Sequence, residues 1–197
     1  MPALFARAVL RLFGWRVQAA PLPGRKGIII VYPHTSNWDF ALGMLAKWAI
    51  ALPIRWVGKE TLFRGVVGAT IGRLLRLAGG RPVDRDHARG AVAQLAQLMA
   101  TEEWCWLGLS PEGTRRYTTH IRSGFYYLAL QLDLPVGLAY FDYRTRVVGV
   151  TDFVRMSGSV DRDLALLRAY YADKVGRHPQ QQSDICFARE SAPVNGS

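Results

Sequence analysis

The sequence predicts a single α/β domain: a largely parallel mixed sheet flanked by helices, with an amphipathic helix at the N-terminus. Three observations predict it. Short apolar runs rich in β-branched residues alternate with stretches of helical period. Those runs are continuously apolar, as strands buried on both faces are. No internal repeat divides the 197 residues, a length that suits one domain with a full core.

In chain order, residues 3–17 place Leu4, Phe5, Ala8, Val9, Leu12 and Phe13 on one helical stripe, with Arg7 and Arg11 off it. Such a helix either lies in a lipid interface or packs its stripe on the domain. After the Pro21–Gly24 turn, residues 27–32 form a buried strand. A helix over 37–51 ends at Pro53, and residues 54–57 form a second strand. Residues 65–77 read as a helix interrupted by glycines and closed by Gly79 and Gly80. Residues 86–100 form the cleanest helix, with Ala91, Leu95, Leu98 and Met99 inward, and 104–109 a third strand. A helix over about 121–132, strands over 135–140 and 146–150, and a helix over 161–174 follow. The last two strands have no helix between them, so that edge is open to antiparallel pairing. The divisions expected are the helix over 1–20, the α/β domain over 21–178 and an irregular tail over 179–197.

A net charge of +10 favours acidic partners: phosphate esters, anionic lipid, an acidic carrier protein or nucleic acid. All but Lys26, Lys47, Lys59 and Lys174 of the 25 basic side chains are arginines. Arginine suits bidentate phosphate contacts, although GC-rich coding gives the same excess. Cys105 and Cys186 make no disulfide framework, and Cys105 reads as a buried thiol in a reducing compartment. No window holds the ~18 apolar residues of a spanning helix, and Arg7, Arg11 and Arg16 break any secretory-signal pattern. The expectation is a cytoplasmic protein, peripheral on the inner face of the cytoplasmic membrane.

Chemistry concentrates in two turns. His34 follows the first buried strand and Asp39 opens the next helix, where open α/β sheets present ligand-facing groups. On a straight helix a five-residue step separates the two side chains; across a bend, the carboxylate can orient the imidazole as a general base for an alcohol. Ser36-x-x-Asp39 equally resembles a capping box. Pro111-Glu112-Gly113-Thr114-Arg115 also leaves a buried strand. It is either an anion-holding turn, with Thr114 and Arg115 as donors and Glu112 steadying an arginine, or an ordinary strand exit. Gly80-Arg81-Pro82-Val83-Asp84-Arg85 offers Arg85 as a second phosphate ligand or is a charged surface turn. Lys59 is a weaker candidate at the end of the second strand. His87, His120 and His178 have no ligand-like spacing, so no metal is expected. No nucleophile-elbow sequence occurs, which argues against a covalent acyl-enzyme.

His34-x4-Asp39, the Gly80–Arg85 segment, the Pro111–Arg115 turn and Leu134-Pro135-Val136, in this order, resemble the four motifs of the glycerolipid acyltransferases, the lysophosphatidic acid acyltransferase (PlsC-like) superfamily. Gly58–Phe63 is similar to the segment those enzymes carry between their first two motifs, and Arg122-Ser123-Gly124 to the one after the third. The resemblance spans about residues 27–150. It implies His34 as base and Asp39 as its orienting carboxylate. It assigns Arg85, Glu112, Gly113, Thr114 and Arg115 to the acceptor-phosphate site, and Pro135 to the wall near the acyl donor. Ser110 stands where the family usually has phenylalanine, Arg116 where Ser or Asn is common, and Pro33 where Asn is frequent.

The expected reaction is direct transfer from acyl-CoA or acyl-carrier protein to the hydroxyl of a lysophospholipid such as 1-acylglycerol-3-phosphate, with no cofactor. Oxyanion stabilisation then falls to backbone N–H groups. A non-phosphate lysolipid, such as a lyso-aminolipid, is the alternative acceptor. The expected partners are lysolipid, donor and a membrane surface. Alternatives of another class are a basic nucleic-acid-binding module and a non-catalytic membrane-surface protein. Dispersed arginines without an aromatic–basic platform argue against nucleic acid.

Overall fold

The computed structural model describes residues 2–59, 63, 72–83 and 88–188. Helix α1 (Pro2–Leu12) starts with proline, where the missing N–H costs nothing. It stops at Gly14, which adopts φ +73°. Trp15 N–H bonds Leu10 O at 2.8 Å and Gly14 N–H bonds Arg11 O at 2.9 Å, the paired bonds of a Schellman stop. Trp15 and Leu10 share one buried cluster, which completes that motif. The helix predicted to reach residue 17 therefore ends at Leu12, and strand β1 (Arg16–Ala19) follows.

The sheet is completed by β2 (Lys26–Val31), β3 (Ile54–Lys59), β4 (Gly80–Val83), β5 (Cys105–Leu109), β6 (Val136–Asp142) and β7 (Val147–Val154). Its order is β1-β7-β6-β2-β5-β3-β4. Only β6 and β7 pair antiparallel, so β7 and its parallel neighbour β1 run against the other five strands. That is the edge where the missing crossover helix left antiparallel pairing open. Helices α2 (Trp38–Ala49), α3 (Ala88–Thr101), α4 (Gly124–Gln131) and α5 (Val160–Tyr171) lie close to their expected spans. Of the helix expected over 65–77, residues 72–77 are described and helical.

Period-two alternation divides β2 between the two layers. Ile28 and Ile30 enter the main core with Met99, Leu107, Phe125, Leu128, Leu138 and Leu167. Each such side chain contributes roughly 1.5–3 kcal/mol by leaving water. Ile29 and Val31 face the opposite layer, beneath α2.

Helix α1 docks on α2 through Ala6 and Leu10, an i,i+4 pair that is fully buried. Arg7 Nε donates to Ala49 O at 2.8 Å and so caps the end of α2. The predicted stripe points the other way, with Leu4, Phe5, Leu12 and Phe13 64–81 % exposed. Packing of the stripe on the domain is thereby ruled out.

The segment from residue 179 is irregular as expected, apart from a 3₁₀ turn at Pro179–Gln181, but as far as residue 188 it is docked. Ser183 is buried, Phe187 bridges to Ile121, and its ring meets Phe125 and Tyr126. Residues 189–197 lie outside the described residues.

Candidate active site

Ser36-x-x-Asp39 makes a cap-like turn ahead of α2 and also carries Asp39 to His34. Ser36 Oγ accepts Trp38 N–H at 3.2 Å, and Asp39 Oδ2 accepts Ser36 N–H at 2.9 Å, a reciprocal pair like a capping box but set one residue ahead of the N-cap Asn37. The same Oδ2 lies 3.1 Å from His34 Nδ1. The cap that starts α2 thus bends the chain enough to bring the imidazole onto the carboxylate. Asp39 is 1 % exposed and the His34 side chain 19 %. Nδ1 is buried, and its approach to Oδ2 is close but off the hydrogen-bonding axis. Catalytic hydrogen bonds are often this poorly aligned before a substrate is bound.

The other Asp39 oxygen accepts a bond from a residue the motifs do not contain. Tyr143 O–H donates to Oδ1 at 2.6 Å. Burial first, and then the adjoining carboxylate, hold this phenol above its ordinary titration range, so it stays a donor. Tyr143 follows the C-terminal end of β6, beside β2; a strand end of this polarity was the one available signal.

Glu112 does something other than line a phosphate site. Its carboxylate is 3 % exposed and turns into the protein, where Oε2 accepts His34 N–H at 2.6 Å and Oε1 accepts Ser183 N–H at 3.1 Å. Among the described residues no arginine bonds it; it joins the His34 turn to the C-terminal segment. Tyr32 O–H closes the same junction on Ser183 O at 2.7 Å. His178 N–H reaches Thr35 Oγ1 at 3.1 Å, and the Gln181 amide, oriented to donate, bridges the Thr35 and Arg115 carbonyls. Burial raises the Glu112 carboxyl above its ordinary value, and the two backbone amides offset part of that rise.

Gly113 adopts φ +66°, and a Cβ there would lie 2.6 Å from Arg122 Nε. Only glycine allows that turn with the Arg122 side chain laid over it. The turn brings Gly113, Thr114 and the exposed Arg115 to the same opening as His34 and Asp39. Thr114 Oγ1 accepts Arg116 N–H at 3.3 Å. Lys59 closes β3, but its side chain, like all of Arg85, lies outside the described residues. Pro135 is not near the opening. It precedes β6, and its carbonyl pairs with Ile28 N–H, about 13 Å of strand before Val31. Motif order cannot reveal this, because parallel strands place their starts and ends at opposite edges of a sheet.

Behind the opening runs a cavity of about 760 Å³ between α2 and the sheet. Phe40, Gly43, Met44 and Lys47 form its helical wall, at i, i+3, i+4 and i+7. Ile29, Val31, Ile54 and Trp56 form the floor, kept low by Gly108 and Ala139. The lining is mostly apolar, and its size lies within the range of ligand clefts.

A family model described as Acyltransferase matches residues 16–137, more than half of the chain and a span that includes His34, Asp39 and the 111–115 turn. Among solved structures, the chain is similar to the crystal structure of the 1-acyl-sn-glycerophosphate (LPA) acyltransferase, PlsC, from Thermotoga maritima. Identity is 17 % and the TM-score 0.51, over 87 % of this chain and 73 % of that one. That likeness is one of fold. A search of curated proteins finds no match.

Proposed function

The chain belongs to the Acyltransferase family, and from that premise we propose that it moves a fatty acyl group from acyl-CoA or acyl-carrier protein to a lysophospholipid hydroxyl, such as that of 1-acylglycerol-3-phosphate. The observation that carries this reading is a His–Asp contact of 3.1 Å at the mouth of an apolar channel, with an exposed guanidinium beside it. His34 Nε2 takes the acceptor hydroxyl proton as the oxygen attacks the thioester carbonyl carbon. The C–S bond then breaks, and the leaving thiolate recovers that proton from the imidazolium, giving ester and free thiol. Asp39 stabilises the imidazolium between those steps. The channel wall suits a fatty chain by its apolar lining.

Arg115 is the acceptor-phosphate contact in this reading. Arg115→Ala should raise the apparent KM for a phosphate-bearing acceptor about tenfold with kcat nearly kept, as for a contact equally strong in ground and transition states. Steady-state kinetics against acceptor concentration check this, and an unchanged KM removes Arg115 from the site.

We extend the proposal to the membrane. Among the described residues no helix is long and apolar enough to span a bilayer. The exposed Leu4, Phe5, Leu12 and Phe13, flanked by Arg11 and Arg16, suit the interface of an anionic leaflet. Leu12→Glu with Phe13→Glu should weaken flotation with anionic vesicles by at least about tenfold. Equal flotation of wild type and variant would reject the assignment.

The decisive experiment incubates purified protein with a panel of lysolipids and both donor classes, and identifies products by mass spectrometry. Acylated lysophosphatidate is the expected product. Acylation of only a lyso-aminolipid would move the proposal to a non-phosphate acceptor, and no acyl transfer with any pair would defeat it.

A further inference from the structure

Tyr143 holds a place that the proposed chemistry leaves unassigned. A carboxylate turns readily about its Cβ–Cγ bond, a broad and roughly two-fold torsion. Its plane is fixed only when both oxygens are held. Asp39 Oδ2 is held by Ser36 N–H at 2.9 Å, and Oδ1 by the Tyr143 hydroxyl at 2.6 Å. Those two bonds leave Oδ2 facing His34 Nδ1.

The phenol is itself well anchored. Its ring meets Trp15 edge-on, with centroids 4.9 Å apart and planes at 87°. Its backbone N–H bonds Val175 O at 2.8 Å. Among the described residues, the charged groups facing it are the Asp39 carboxylate and the Arg177 guanidinium; the latter also lies 5.7 Å over the Trp38 ring. Glu112 approaches His34 separately, at its backbone. The Tyr143 side chain does not line the channel, so it is placed to act on the dyad and not on substrate.

We infer that Tyr143 is a positioning residue of the acyl-transfer site: its hydroxyl locks the Asp39 carboxylate in the orientation that aims His34, making a relay of His34, Asp39 and Tyr143. This rests on the reading of His34 as the base. No proton leaves Tyr143 in this scheme; it donates one hydrogen bond throughout, and the acceptor proton travels only between His34 and the departing sulfur.

Tyr143→Phe tests it, since the ring stays against Trp15 and only the O–H is lost. The expected result is a fall in kcat of about tenfold or more, with both KM values within about twofold. In an Asp39→Asn background the same change should cost less than about twofold, because members of one relay are not additive. A packing role alone would instead add in full to the Asp39→Asn loss. The ¹⁵N spectrum of the His34 imidazole, recorded without substrate, should show a changed tautomer balance in Tyr143→Phe. Unchanged imidazole shifts, unchanged kcat or full additivity would each overturn the inference. If the wild type transfers no acyl group, the proposed reaction fails, while the imidazole spectrum still decides whether Tyr143 positions His34.

Discussion

His34→Ala should lower turnover by about 10³-fold or more with stability almost untouched. A well-placed general base supplies about 10²–10⁴ of rate, and members of such a constellation lose nearly all of it when one is removed. The chemical role proposed for His34 is separable from its structural one. Glu112 bonds the backbone N–H of His34, which alanine retains, while the imidazole approaches Asp39 without a formed hydrogen bond. The turn and the Asp39 cap on Ser36 should therefore survive. Thiol release from the acyl donor measures the rate, and thermal unfolding tests the fold. Turnover within about tenfold of wild type would remove His34 from the chemistry.

Glu112→Ala should fail in the opposite way, by losing stability and activity together. Alanine strands two buried donors, the backbone N–H groups of His34 and Ser183. Each unpaired donor costs about 1–3 kcal/mol, so the loss should reach about 2–5 kcal/mol. For a domain of this size, Tm falls by roughly 5–15 °C. A Tm within about 2 °C of wild type would show that the junction contributes little. The carboxyl also sets a pH dependence. Burial raises it above its ordinary 4.5, so the folded state binds its proton more tightly than the unfolded state. Its contribution is then fully present below pH 4.5 and is lost as pH rises through the folded-state value. Against Glu112→Gln, which cannot titrate there, wild-type Tm should fall across that window. Parallel curves would show that the group is not shifted.

The fold was legible where local signals agree with the tertiary environment. Ile28–Val31 is apolar and β-branched on both faces because it sits mid-sheet between β5 and β6. Strand β1 is four residues, Arg-Val-Gln-Ala, exposed at an edge, and carries neither alternation nor an apolar run. The docking face of α1 was not singled out because the larger side chains form the more obvious stripe. The small Ala6 beside Leu10 allows the close helix approach that is actually used.

The dyad was legible because strand, bend and helix cap are contiguous in sequence. Tyr143 was not, since its bond to Asp39 crosses 104 positions and depends on β6 lying next to β2. The Glu112 orientation was hidden for a similar reason. Its second partner, Ser183, lies 71 residues on, in a segment with no periodicity to announce that it docks.

The attachment of α1 has a geometric consequence. Ala6 and Leu10 seat the helix on α2, Arg7 ties it to Ala49, and after the Gly14 reversal β1 is sewn to β7. It is a keel bolted to the hull, not an oar on a rope. Any flat oily surface that took up Leu4, Phe5, Leu12 and Phe13 would meet the rest of the molecule at one fixed heading, with the doorway beside His34 always at the same height and bearing.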